Sequence, residues 1–487
     1  MKTKIVKSFE EGAESVGDIL TGGKKTKRVK VGLLTLGYFE YWRMFPEMLP
    51  RVEANLKAVE DRMRASYDVV CSGMVDTLDT ADAAGKLFRK ENVDIVVAVC
   101  GTYVADFITL TAVDQVKDKP LVLFSMQGGD NVNVAGDYSC SLENSGIIGT
   151  SQLTGTLVKM RRKFKVVVGS KSDDRAYAEI GAYIDACQAV EDIRESNIGI
   201  IGHVFRGMYD IELSKTFLKS TFGVNVISIQ SSHLLSTWQE VTESEARAEA
   251  AKLTARFAVK NVTEKDIESA CKLAIAMERI AIKFHLDAMC FLDQHFIQRQ
   301  VHASARIGAS LLMEKTGMSV NCEGDLGGLV MMMLMRSLGK SAPLMGEWGE
   351  YDLATNSCLI IGHGIGTPDL AANDGEVLLS RTPEEWGFEG GGLNYEIKVK
   401  PSPVTLGHIL EGRDGYRMIL SEGETIDFAR MNYDELYAIV KVKKPVREFL
   451  EEVLNYGVSH HCIVGMSHMG KRLAIVCDML GVESFIV

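Results

Sequence analysis

Three histidines crowd into one short stretch, "NYGVSHHCIVGMSHMG" (455–470), although the whole chain holds only ten. His460, His461 and His468 bring imidazole, which near neutral pH serves as acid, base or metal ligand. Partners of matching chemistry lie upstream. "NCEGDLGGL" (321–329) places Glu323 in a glycine-flanked turn just before a methionine-rich apolar run. "LMGEWGEYD" (344–352) supplies Glu347 and Glu350 beside a tryptophan, and "LIIGHGIGTPD" (359–369) sets His363 between two glycines at the end of an apolar strand. Glycine at a strand end permits close approach of a ligand. Carboxylates and imidazoles form an oxygen-and-nitrogen donor set that suits Mn²⁺, Mg²⁺ or Co²⁺ better than a thiolate metal. In an extended segment His460 and His461 point to opposite faces, so only one of the two is expected to reach such a site. His468 is read as lying on a helix, in a capping or surface role.

Elements must hold these residues, and the hydrophobic pattern names them. "KVGLLTLG", "YDVVCSGMV", "VDIVVAVCGTY", "KPLVLFSMQGG" and "FKVVVGS" read as strands with helical segments between them. That alternation predicts βαβ units and a parallel sheet. Ligands of such sheets lie beyond the strand carboxyl ends, so "CGTYVADF" (100–107) and "SMQGGDN" (125–131) are expected to rim a pocket. A second cycle follows: a helix over 176–194, strand, turn and helix start in "NIGIIGHVFRGMYDIEL" (197–213), a strand in "VNVISIQSSHLL", two long helices, and a strand in "LDAMCFLDQ" (286–294). Beyond it, "SCLIIGHG", "GEVLLS", "LNYEIKVKPSPVTLGHIL", "YRMILSEGET" and "YAIVKVKKP" are short strand-like runs separated by Asn-Asp-Gly and Gly-Gly-Gly turns, the pattern of an antiparallel sheet or barrel. The expected organisation is α/β, with two Rossmann-like parallel-sheet domains (1–170 and 171–322) and a C-terminal, mainly antiparallel β domain, barrel-like, over 323–487 that carries the metal ligands.

Composition sets the outer bounds. A chain of 487 residues is long enough for roughly three domains. Hydrophobic residues at 46% and charged residues at 24% are ordinary for a soluble globular protein. The net charge of −11 argues against a general nucleic-acid binder. The ten cysteines form no C-x-x-C pair and read as reduced, mostly buried thiols of an intracellular protein. No apolar run reaches membrane-spanning length, the longest of concern being "LVMMMLM" (329–335) before Arg336. A soluble, cytoplasmic protein without nucleic-acid or membrane partners is expected.

Together "VGLLTLGYFEYW", "KVVVGS", "IGIIGHVFRGMYD", "NCEGD", "LIIGHG" and "SHHCIVGMSH" resemble, in order and interval, the L-arabinose isomerase and L-fucose isomerase superfamily, most specifically in the C-terminal half. The N-terminal domain is more diverged. The resemblance implies two α/β domains and a barrel-like third, assembled as trimers or hexamers with shared active sites, and a Mn²⁺-dependent aldose–ketose isomerisation of a pentose or 6-deoxyhexose through an enediol(ate). It implies Glu323, Glu347, His363 and His461 as metal ligands, with Glu350 competing for the place of Glu347. Glu323 and Glu347 would double as the acid/base pair. The substrate pocket would draw on Tyr103, Gln127, His203, Met208 and His460. A dinucleotide-dependent dehydrogenase lacks its fingerprint, since neither "VGLLTLG" nor "GHGIG" has the G-x-G-x-x-G spacing. A non-catalytic sugar-binding or regulatory protein of the same fold is the alternative.

Overall fold

The computed structural model describes residues 27–292, 294, 296–383 and 392–487. The chain divides into two compact units, Lys27–Glu191 and a larger one over Asp192–Val487. The lysines before residue 27 and most of the expected Gly-Gly-Gly turn (390–392) lie outside the described residues.

In the first unit, β1 (Lys30–Leu36), β2 (Asp68–Val75), β3 (Ile95–Cys100), β4 (Leu121–Gln127) and β5 (Lys165–Ser170) form one parallel sheet in the order β2-β1-β3-β4-β5. β3, in the middle, is buried at every position, as a strand covered on both faces requires. The connecting helices are punctuated locally. Leu78–Glu91 starts on a Thr77/Thr80 capping box and stops at Asn92 in the left-handed conformation. Its Phe88 and Ala84 pack with Leu34, Val96 and Leu123 in the core of this unit.

The larger unit opens with a second parallel sheet, β10-β9-β6-β7, built from β6 (Asn197–Ile201), β7 (Asn225–Ile229), β9 (Ala288–Phe291) and β10 (Ser319–Cys322). The long helix Glu264–Lys283 begins on a Thr263/Asp266 capping box and buries Ile267, Ala270, Leu273, Ala274, Met277 and Ile280, a stripe of helical spacing. After β10 the backbone turns at Glu323–Gly324 into the helix Leu326–Gly339, whose N-cap Asp325 accepts from the Gly328 N–H.

The last region is mainly antiparallel. β11 (Leu344–Asp352), β12 (Ser357–Gly362), β15 (Ser402–Gly412), β16 (Gly415–Thr425), β17 (Tyr437–Val442) and β18 (His461–Gly465) run in the order β15-β18-β11-β12-β17-β16, and β16 pairs back onto β15. The six strands therefore close on themselves, and β19 (Glu483–Ile486) adds in parallel to β16. A smaller sheet joins β8 (Ala258–Lys260), β13 (Leu378–Arg381) and β14 (Leu393–Glu396). The expected plan of parallel α/β layers followed by a barrel-like antiparallel region is the one observed.

Three local expectations are corrected. "VNVISIQSSHLL" is not one strand: β7 ends at Ile229, and Ser231–Glu240 is a helix burying Leu234 and Thr237 at a spacing of three. "GHVFRGMYDIEL" starts no α-helix, only a single 3₁₀ turn at Tyr209–Ile211; the next helix waits for its Ser214 cap. "LNYEIKVKPSPVTLGHIL" is broken into β14 and β15, with Pro401 in the break and Pro403 at the second position of β15.

Candidate active site

Glu323 follows β10 directly, and its backbone takes the left-handed conformation at φ 62°. A non-glycine residue held there costs on the order of 1 kcal/mol or more and persists where its surroundings enforce it. The enforcement is visible. The Glu323 carbonyl accepts from the Phe205 N–H (3.0 Å) and the Gly324 N–H donates to the Phe291 carbonyl (3.3 Å). A Cβ on Gly324, itself at φ 74°, would stand 2.7 Å from the His203 carbonyl oxygen. The loop after β6 thus clamps the turn and aims the Glu323 side chain, 4% exposed, inward.

Strand register supplies the next two residues. Glu347 of β11 stands opposite His461 of β18 and opposite Ile361 of β12. Directly opposed residues of an antiparallel pair share a face of the sheet, so Glu347 and His461 meet without any loop to place them. His363 follows the last residue of β12, and its backbone carbonyl accepts from the buried Arg306 guanidinium (2.7 Å), which also binds Glu435 (2.6 Å).

The result is a compact donor group. One side-chain donor atom from each of Glu323, Glu347, His460 and His461 lies within 4.8 Å of the others. His363 Nε2 is 3.6 Å from Glu347 Oε1, and its ring sits edge-on to His461, 5.7 Å between centroids. His461 is held at both nitrogens, Nε2 to Glu323 Oε2 (3.0 Å) and Nδ1 to Asp325 Oδ2 (2.9 Å). Asp325 also accepts from His408 Nε2 at 2.8 Å while capping its helix through the other oxygen. The free oxygen of Glu323 accepts from Gln294 Nε2 at 2.6 Å.

These contacts separate the charges. Burial opposes ionisation of Glu323, but His363 and the His461 hydrogen bond outweigh it and hold its carboxyl at about 2. Glu347 goes the other way: burial and the neighbouring Glu323 charge raise it. Burial also disfavours the His461 cation, yet Asp325 and Glu323 together lift it to about 10. His363, with burial dominant, falls to about 3 and is neutral. Two carboxylates pushed in opposite directions within one pocket are the arrangement that divides acid from base.

The donor set fits a divalent ion. The buried Nε2 of His363 has no hydrogen-bond partner among the described residues, which is how an imidazole ligand stands when the group it faces is absent. Two carboxylates and imidazole nitrogens are hard-to-borderline donors, and no thiol is among them.

Both histidines of the adjacent pair reach the site, contrary to the expectation from strand alternation. His460 precedes β18 and lies in a bend, so the two-residue period does not apply, and the two rings approach to 4.0 Å between centroids. His468 is not on a helix either; it precedes Gly470–Leu480, with Nε2 bonded to the Gly423 carbonyl. Glu350 is exposed, within a register irregularity in β11 between Trp348 and Tyr351, and stands outside the donor group. His203 and Met208 lie on the loop that clamps the Glu323 turn, His203 exposed with Nδ1 on the Val204 carbonyl. Tyr103 and Gln127 belong to the first unit, each at the carboxyl end of a strand. The Tyr103 ring packs edge-on to Tyr38 at 5.2 Å, and Gln127 bonds the Gly129 carbonyl. Sequence reasoning passed over Asp325, His408, Gln294, Arg306 and Asp210. Asp325 carried a signal as an N-cap before an apolar helix.

No protein-family model matches the chain. Among curated proteins it is similar to the sulfoquinovose isomerase of Alkalicoccus urumqiensis, 20% identical over 340 residues, or 68% of this chain and 74% of that protein. Sulfoquinovose isomerases of Priestia aryabhattai and Priestia megaterium match at 20% over 345 residues, 70% of this chain and 76% of theirs.

Proposed function

We propose that the chain is an aldose–ketose isomerase, an intramolecular oxidoreductase acting on a sugar, with a divalent ion at the Glu323–Glu347–His461 site. The observation that carries this reading is the convergence of Glu323, Glu347, His460 and His461 within 4.8 Å, with His363 Nε2 3.6 Å from Glu347 Oε1. The similarity to three sulfoquinovose isomerases supports it independently. Glu323, Glu347, His363 and His461 would hold the ion, Mn²⁺ first, with Mg²⁺ or Co²⁺ as substitutes. Bound there, it supplies Lewis-acid polarisation and a template for two neighbouring sugar oxygens.

The chain's own residues do the rest. Isomerisation moves a proton between C1 and C2 through an enediol(ate), which asks for one carboxyl group that takes the proton and gives it back. Glu347, made the more basic of the pair by burial and the Glu323 charge, is suited to take the proton from one carbon as the carboxylate and return it to the other as the acid, and Glu323, held ionised, keeps the negative charge that anchors the ion. His203, Met208 and His460 are proposed to line the sugar site, with Tyr103 and Gln127 of the first unit serving the same substrate class. The substrate is a pentose or 6-deoxyhexose in the open-chain form. Sulfoquinovose, a hexose with sulfonate in place of the 6-hydroxyl, belongs to the second of these classes. A trimer or hexamer is the proposed assembly.

The test is conversion of L-arabinose, D-arabinose, L-fucose and sulfoquinovose to the ketose, with Mn²⁺, after EDTA, and in Glu323→Gln. Turnover that needs both metal and Glu323 supports the proposal. A folded, Mn²⁺-loaded protein that converts none of these sugars overturns the substrate assignment, and turnover unaffected by EDTA overturns the metal's part in it.

A further inference from the structure

The loop after β6 does more than clamp Glu323. Asp210, in its 3₁₀ turn, sends one carboxylate oxygen to the bend before β18. Oδ2 accepts from Ser459 Oγ (3.0 Å), from the His460 backbone N–H (3.1 Å) and from His460 Nδ1 (2.6 Å). Trp348 secures the same bend from the other side: its backbone N–H donates to the His460 carbonyl (3.3 Å) and its indole N–H to the Ser459 carbonyl (3.1 Å). With both its backbone and its ring tied, His460 has one freedom left, the atom at the far end of the imidazole. That atom, Nε2, is buried and has no hydrogen-bond partner among the described residues, in a ring that brings a nitrogen within 4.8 Å of donor atoms of Glu323, Glu347 and His461.

A carboxylate only accepts, so the 2.6 Å contact puts a hydrogen on Nδ1 and selects the tautomer in which Nε2 carries the lone pair. We propose that Asp210 is a positioning residue: it fixes the tautomer and aim of His460 so that Nε2 accepts a hydrogen bond from a hydroxyl of the open-chain sugar. This rests on the isomerase reading for the identity of the ligand, while the tautomer itself does not. The geometry also explains why a loop otherwise read as pocket lining carries an oxygen acceptor at this position. An alanine there would remove the one oxygen that Ser459 Oγ, the His460 N–H and His460 Nδ1 share, and with it the acceptor that fixes the hydrogen on Nδ1, whereas an asparagine can keep all three bonds through its amide oxygen.

Asp210→Ala, with Asp210→Asn as the conservative variant that keeps an oxygen acceptor, tests this in the full-length, Mg²⁺-loaded protein. Nitrogen-15 chemical shifts of the His460 ring at about pH 8, where an ordinary imidazole is neutral, read the tautomer directly. The expected result is hydrogen on Nδ1 in the native protein and in Asp210→Asn, and a shift of the hydrogen toward Nε2 in Asp210→Ala, with a KM raised roughly five- to tenfold in Asp210→Ala, the loss of one hydrogen bond, and recovery in Asp210→Asn. Mg²⁺ affinity, measured by calorimetry, is expected to stay within about twofold, because Asp210 touches none of the proposed ligands. An unchanged tautomer in Asp210→Ala overturns the proposal. So does a Mg²⁺ affinity that falls along with the tautomer, which would make His460 a metal ligand. A native protein that converts no sugar defeats the isomerase reading, and the tautomer measurement still decides the role of Asp210.

Discussion

Glu347 and His461 stand directly opposite each other on neighbouring antiparallel strands, 114 positions apart by number and joined only by register. Because register in a sheet is shared by every residue of the strand, neither side chain can leave this pairing unless the β11–β18 ladder moves. The site is therefore as rigid as the barrel wall.

The first consequence concerns metal. Glu323→Gln and Glu347→Gln each keep the shape of the side chain and remove its charge. Both are expected to lose sugar conversion by at least about a hundredfold and to weaken Mn²⁺ binding. Glu350→Gln, outside the donor group, is expected to leave both within about twofold. Calorimetric Mn²⁺ titration of the three variants checks this. A Glu350→Gln defect as large as that of Glu347→Gln would reassign the second acid.

The second concerns Asp325, which orients His461 through Nδ1. Partners of this kind typically contribute 10–100-fold to metal affinity. Asp325→Asn is expected to lower Mn²⁺ affinity by about that factor. Asparagine is itself a good helix N-cap, so thermal stability of the metal-free protein should fall by about 1 kcal/mol or less from the cap alone. Comparing Mn²⁺ titration with EDTA-treated melting separates the two roles.

The Glu323–Gly324 turn makes a third prediction. Gly324→Ala adds left-handed strain and drives a Cβ to 2.7 Å from the His203 carbonyl oxygen and 2.8 Å from Val204 Cα. Gly481 has a similar φ of 71° with nothing within 4 Å of its would-be Cβ, so Gly481→Ala isolates the backbone effect. Gly481→Ala is expected to cost about 1 kcal/mol and Gly324→Ala at least about 2 kcal/mol, with weakened Mn²⁺ binding only in the latter. Urea unfolding of both variants is the measurement.

Away from the site, Glu396 offers a pH test. Its side chain, 1% exposed, accepts from Lys260 Nζ (2.9 Å), Ser380 Oγ (2.7 Å) and Arg430 Nε (3.2 Å). Burial raises its carboxyl, but these three hydrogen bonds outweigh that and hold it below the usual glutamate range. A depressed carboxylate stabilises fully above the unfolded value, about 4.3, and loses that stabilisation as pH falls through the lower folded value. Glu396→Gln is expected to cost about 2 kcal/mol at pH near 7, since the two cations are partly solvated. The gap from the native protein should close in urea melts taken below about pH 4.

The sequence made some of this plain and hid the rest for physical reasons. The βαβ alternation shows in runs such as "VDIVVAVC" because strands buried on both faces are apolar throughout. Glu323 stands out because a glycine follows it at the turn, and His363 because glycines flank it. Other features depend on contacts between distant positions. His408 reads as one more residue in "TLGHIL", and only folding brings its Nε2 to Asp325, 83 positions away. The bend that turns His460 into the site is held by Asp210, 250 positions upstream, so local alternation gave the wrong facing. Similarly, the helix at Ser231–Glu240 reads as strand in the sequence because "VNVISI" runs into it without a glycine or proline.

The order of strands around the barrel also bears on how the chain is made. β18 sits between β15 and β11, both of which emerge from the ribosome before it. Until His461 is synthesised the wall has a gap, with two unpaired edges facing it, and edges of that kind recruit other chains. A polypeptide stalled before β18 would hold three of the four proposed ligands and still be unable to seat an ion between them. Metal capture would then mark a chain that has reached β18, and shorter chains would be distinguished by exposed strand edges, which leave them prone to aggregate.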